Sequence, residues 1–97
     1  MNFNQDEFEI LRKIKKNPKA SQRKLASELG FSLGKLNYCL KALQKKGLVK
    51  AENFKKNPKK LNYFYILTPS GLATKTKLTL NFMKKKMKEY DELKSEI

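Results

Sequence analysis

Apolar positions along the chain follow two rhythms, and the change from one to the other divides it into elements. Phe8, Leu11 and Ile14 recur at helical spacing and predict a first helix from about Gln5 to Lys16. Asn4 with Glu7 three residues on reads as a capping box at its start, and Phe3 with Phe8 as a hydrophobic staple around it. The stretch "KNPKAS" ends the helix, because Pro18 restricts Asn17 and cannot extend the hydrogen-bond ladder. Leu25, Ala26 and Leu29 mark a short second helix, about Gln22 to Leu29, capped by Ser21 and stopped by Gly30. Leu33, Leu36, Leu40 and Leu43 then repeat within an arc of about 80° on a helix, the side a core must own. That third helix is expected to run from its cap Ser32 to about Lys46, where Gly47 stops it.

The second and third helices are parted only by "LGFS", a tight glycine-containing turn, which is the sequence form of a helix-turn-helix. The rhythm then shortens. "GLVKAENF" alternates in part, "LNYFYILT" is rich in aromatic and β-branched residues, and the polar "KKNPKK" lies between them, so a β-hairpin is expected. Thr68-Pro69 opens a long last helix that reaches Lys94 or beyond. The fold class that follows is mainly α with a small β-hairpin: a winged helix-turn-helix over residues 1–68 and a C-terminal helix, read as a dimerisation element, over residues 69–97.

The third helix has a second side. Gly34, Asn37, Tyr38, Lys41 and Lys45 lie opposite its leucines. An amide can bridge an adenine edge, lysine can reach guanine acceptors or phosphate, and tyrosine can both hydrogen-bond and pack. Gly34 in the first turn lets the helix start come close to a backbone, where its partial positive charge favours phosphate. A plain solvated face is the rival reading of this helix taken alone. Its neighbours weigh against that: Lys55, Lys56, Lys59 and Lys60 crowd the hairpin tip, and Ser21, Gln22 and Arg23 open the helix that crosses the DNA backbone in such motifs.

Along the last helix Leu80, Met83, Met87 and Tyr90 are spaced 3-4-3, a heptad seam that extends to Thr76 and Ile97 and is interrupted by Lys94. The reading is a homodimer interface, with Phe3 and Phe8 contributing. The alternative is that the stripe packs on the chain's own first helix. A membrane-surface role for Lys84, Lys85, Lys86 and Lys88 with Leu80, Phe82 and Met83 is disfavoured by the acids that follow, which anionic lipids repel.

Charge sharpens the functional reading. The 97 residues carry a net charge of +14. All but one of the 23 lysines and arginines fall within residues 10–88, against Glu28 and Glu52 alone, while both ends are acidic. A body this basic calls for a polyanion, nucleic acid ahead of an anionic membrane. The acidic ends would stand away from DNA and pair with basic stretches such as "KKKMK" of a partner chain. With no histidine and one cysteine, the chain offers no internal disulfide, almost nothing to a zinc ion, and no catalytic constellation, so neither cofactor nor enzyme activity is expected. Cys39 is expected to be a buried, inert thiol, with redox sensing as the alternative. Tyr63, Phe64 and Tyr65 are expected to pack the hairpin onto the core rather than to stack on bases. No apolar run approaches the length of a membrane span, so the default location is the cytoplasm.

Three passages together resemble one family. "SQRKLASELGFSLGKLNYCLKALQKKGLVKAENF", "LNYFYILTPSG" and "KMKEYDELKSEI" are similar to MarR-type winged-helix transcription regulators, and most of all to the short EPS-associated subgroup tied to exopolysaccharide gene clusters. The resemblance implies a homodimeric repressor or activator on a near-palindromic operator in double-stranded DNA. The third helix would enter the major groove with Ser32, Gly34, Lys35, Asn37, Tyr38 and Lys41. The wing would add Lys55, Lys56, Asn57, Lys59 and Lys60, lysines that suit phosphate better than planar base readout. Larger MarR-type proteins build their dimer from an N-terminal helix and two C-terminal ones, whereas one C-terminal helix is expected here. A non-specific architectural or RNA-binding protein remains the alternative, and the effector is open.

Overall fold

The computed structural model describes residues 4–52 and 64–97. Among these the order is α1 (Gln5–Lys16), α2 (Gln22–Leu29), α3 (Leu33–Lys45), β1 (Val49–Glu52), β2 (Phe64–Leu67) and α4 (Pro69–Ser95). The hairpin tip, with Lys55, Lys56, Asn57, Lys59 and Lys60, lies outside the described residues, as do Phe3 and Tyr63.

Each helix begins on a side chain that satisfies a backbone N–H the helix itself leaves bare. Asn4 accepts from the Glu7 N–H at 2.7 Å, Ser21 from Lys24 at 3.1 Å, Ser32 from Lys35 at 3.1 Å and Thr68 from Gly71 at 3.0 Å. Such a cap is worth about 1 kcal/mol each. α2 ends at Gly30, whose φ of 71° is the left-handed conformation that glycine adopts without a Cβ penalty. The capping box expected at α1 is half made: Glu7 does not spend its carboxylate on the cap but on Lys46, 2.7 Å away at the end of α3.

The core gathers Ile10, Leu11 and Ile14 of α1, Leu25 of α2, and Leu36, Leu40 and Leu43 of α3, with Val49 and Tyr65 from the strands closing it. The side of α3 given to this core is rotated from the one its leucines alone describe. Cys39 is buried, and Leu33 stands 43% exposed in the first turn. An arc drawn through the leucines is centred too far toward Leu33; the buried side runs from Cys39 to Leu40.

β1 and β2 pair antiparallel, Val49 opposite Leu67 and Glu52 opposite Phe64, which is the hairpin expected from the sequence. A two-stranded ribbon is marginal alone, and here Val49 and Tyr65 anchor it in the helical core. α4 leaves the sheet through a tight joint. The Thr68 N–H donates to the Leu48 carbonyl at 3.0 Å, and its hydroxyl donates to the Gly47 carbonyl at 2.6 Å. Gly71 sits so close to Leu48 that any Cβ there would run into the Leu48 carbonyl. Beyond that joint Leu78 packs on the core, and Phe82 meets Phe8 with ring centroids 6.0 Å apart. From Leu80 onward every residue of the helix is exposed, and the molecule measures 60 Å in its longest dimension.

Candidate nucleic-acid interface

With Leu36, Leu40 and Leu43 drawn inward, α3 presents Ser32, Gly34, Lys35, Asn37, Tyr38 and Lys41 on its outer side, and all six are exposed. Tyr38 is 78% exposed, with its ring and hydroxyl both open to solvent. Asn37, Tyr38 and Lys41 make no hydrogen bond or ion pair with any described residue. Gly34 has open space on its Cβ side. None of these six is acidic, and the one carboxylate beside them is Asp6, paired with Lys35 at the edge, so the middle of the surface presents polar groups and the positive charge of Lys41.

Lys35 differs from Lys41. Its ammonium pairs with Asp6 at 3.1 Å and lies 4.2 Å from the centre of the Phe31 ring. It is held at the edge of the face, where Lys41 projects from the middle. Below them Cys39 is buried, and burial pushes its thiol pKa up, with the charges of Asp6 and Glu7 adding to the effect and Lys35 opposing it. Both effects disfavour the thiolate, and the burial is the one expected from the sequence.

Ser21, Gln22 and Arg23 open α2. Ser21 spends its hydroxyl on the helix cap, while Arg23 is exposed and makes no ion pair with a described residue. Three lysines that the sequence did not assign to this region, Lys16, Lys19 and Lys24, line one shallow depression with Ser21. Their charge is plain in the sequence. Their convergence is not, because it depends on how the α1–α2 turn folds back.

The residues read as a dimer interface divide in two. Leu80, Met83, Met87 and Tyr90 are all more than half exposed. Phe8 is 6% exposed and gives its ring to the chain's own Phe82, so it contributes to the joint between α1 and α4 rather than to an outer surface. Leu78 and Phe82, which face that joint, lie on the other side of α4 from the 80–83–87–90 stripe. Among the described residues no three His, Cys, Asp or Glu side chains gather as a metal site would need, and no helix is long and apolar enough to cross a membrane.

This geometry has close counterparts. A family model described as winged helix-turn-helix DNA-binding matches residues 7–50. Staphylococcus aureus MarR, solved in complex with salicylate and kanamycin, superposes with a TM-score of 0.81 over 94% of this chain at 23% identity. The fold is that of the MarR regulators. MepR, a transcription regulator of the Staphylococcus aureus multidrug efflux pump MepA, gives a TM-score of 0.81 over 94% of this chain at 15% identity. Lactococcus lactis ZitR, a zinc-responsive MarR family member, gives 0.75 over 100% at 18% identity. The likeness is one of fold, and the chain spans 59% of the length of the first, 66% of the second and 65% of the third. No curated protein sequence matches the chain.

Proposed function

We propose that this chain is a sequence-specific DNA-binding transcription regulator that acts as a homodimer on a near-palindromic operator. In this reading residues 1–68 hold the DNA and residues 69–97 join two copies. The observation that carries it is the outward side of α3: six exposed residues, none of them acidic and only Lys35 at the edge paired with a carboxylate, on a helix whose opposite side is locked into the core. Asn37 and Tyr38 read base edges, while Lys41, with Lys35 at the edge, adds positive charge. Arg23 and the lysines around the start of α2 hold phosphates, and the wing lysines Lys55, Lys56, Lys59 and Lys60 extend that hold along the duplex. The resemblance in "SLGKLNYCLKAL" and "EYDELKSEI" makes exopolysaccharide genes the targets to test first.

Selection of bound fragments from the source genome tests this directly. The expected result is one motif with two inverted half-sites. Replacing Asn37 by Ala is expected to cost about 1–3 kcal/mol on that motif and little on random duplex. Replacing Lys55 and Lys56 together by Ala is expected to weaken all duplexes alike and to flatten the dependence of affinity on salt. Equal losses on cognate and random DNA in the Asn37 variant would replace the specific regulator with an architectural nucleic-acid protein.

A further inference from the structure

The exposed stripe on α4 carries enough pattern to say how a second copy sits on it. We infer that two α4 helices pair antiparallel in one register, with Met87 against the partner's Tyr90, Met83 against the partner's Lys94, and Lys84 against the partner's Asp91. This rests on the homodimer proposed above and specifies its geometry.

Leu80, Met87 and Lys94 fall on one seam position of a heptad and Met83 and Tyr90 on the other, a spacing that Ile97 continues just past the helix end. The apolar members are between 52% and 106% exposed, whereas Leu78 and Phe82 on the far side of the helix are spent on the chain's own core and on Phe8. The seam is therefore vacant in a single chain. Charge decides the direction. Lys84, Lys85, Lys86 and Lys88 are followed at once by Glu89, Asp91, Glu92 and Glu96. In a parallel pair Lys86 would flank the partner's Asp91, but the two lysine runs would lie side by side and Lys94 would face the partner's Lys94 across the seam, like charges that an antiparallel pair keeps apart. Antiparallel pairing lays the lysine run along the acidic run and sets Lys94 against the partner's Met83, where its stem can pack and its ammonium can reach water.

The flanking residues fit the same register. Lys84 and Asp91 occupy the position beside the seam that meets its own kind in an antiparallel pair, and each is free of any ion pair with a described residue. Lys86, by contrast, is already held by Glu89 at 3.3 Å in its own helix. Paired in this way, residues 82–95 of each helix cover each other, and the two winged bodies stand at opposite ends of the coil.

Cysteine cross-linking of the full chain, in a Cys39→Ala background, tests the register. Met83→Cys and Lys94→Cys chains are purified separately, then mixed and oxidised. The inference expects a disulfide dimer in the mixture and none in either chain alone. Dimers from each chain alone would overturn the antiparallel arrangement and leave the homodimer standing. A dimer by ultracentrifugation that gives no cross-link would place the interface elsewhere, and a monomer would remove both proposals. Charge exchange is a second readout. Lys84→Asp alone is expected to weaken the dimer about tenfold, and adding Asp91→Lys to restore it. Failure of the double exchange to restore pairing would overturn the Lys84–Asp91 contact.

Discussion

α3 and α4 each give one side to the core and turn the other outward, and their outward sides have opposite chemistry. On α3 the outer side is an amide, a phenol, a small residue and lysines. On α4 it is leucine, methionine and tyrosine, left as exposed as the lysines around them. Water tolerates the first surface at no cost, so it can wait open for a polar ligand. The second pays a standing hydrophobic penalty and is relieved only by apolar cover. The same helical spacing of leucine and methionine thus forms an interior in one element and an exposed apolar stripe in the other. What separates them is whether the chain itself supplies something to lie against.

That contrast can be broken at several points. Leu40→Ala, on the inner side of α3, should have the largest effect: about 2–5 kcal/mol of stability in urea or thermal unfolding, because a side chain with no exposed surface leaves a cavity. Leu80→Asp with Met87→Asp should leave the helical content of each chain unchanged and yet cost the pair on the order of 3 kcal/mol or more, read as monomers by sedimentation. An unchanged sedimentation coefficient would show that the stripe on α4 is as idle as it looks in one chain. Tyr38→Ala should leave unfolding untouched and remove about 1–3 kcal/mol from binding to the cognate site alone. Lys46→Ala should cost about 1–3 kcal/mol of stability, since the Glu7 carboxylate, only 7% exposed, loses the ammonium that faces it. Lys35→Ala, whose pair with Asp6 is nearly half exposed, should cost less than about 1 kcal/mol, a difference that a parallel melt of the two variants resolves.

The sequence carried the architecture well, because each boundary had a local cause. Asn4, Ser21, Ser32 and Thr68 start the helices where their side chains accept a backbone N–H, and Gly30 and Gly47 stop two of them with positive φ. What it missed was non-local. The expected capping box gave Glu7 a partner three residues away, but the carboxylate found Lys46, which is 39 positions along the chain. Leu33 shares the spacing of the other α3 leucines and still lies outside the core, because only the fold determines which few tens of degrees of a helix are covered. Phe8, read both as part of the buried stripe of α1 and as a contributor to the dimer interface, packs against Phe82 of the same chain. The outer side of α3 was legible for the converse reason: once the leucines are inside, the residues opposite them have nowhere to go but out.

The junction at Thr68 and Gly71 has a mechanical consequence. Two hydrogen bonds and a backbone contact with no side chain between them fasten the start of α4 to the turn that ends α3. Such a joint leaves little slack to absorb rotation, so the direction of α4 is fixed relative to the winged body. In the proposed antiparallel dimer, lengthening α4 by one heptad between the joint and the seam would move the two winged bodies apart by about 20 Å, at 1.5 Å per residue for each chain, and the step between the proposed half-sites would have to grow with it.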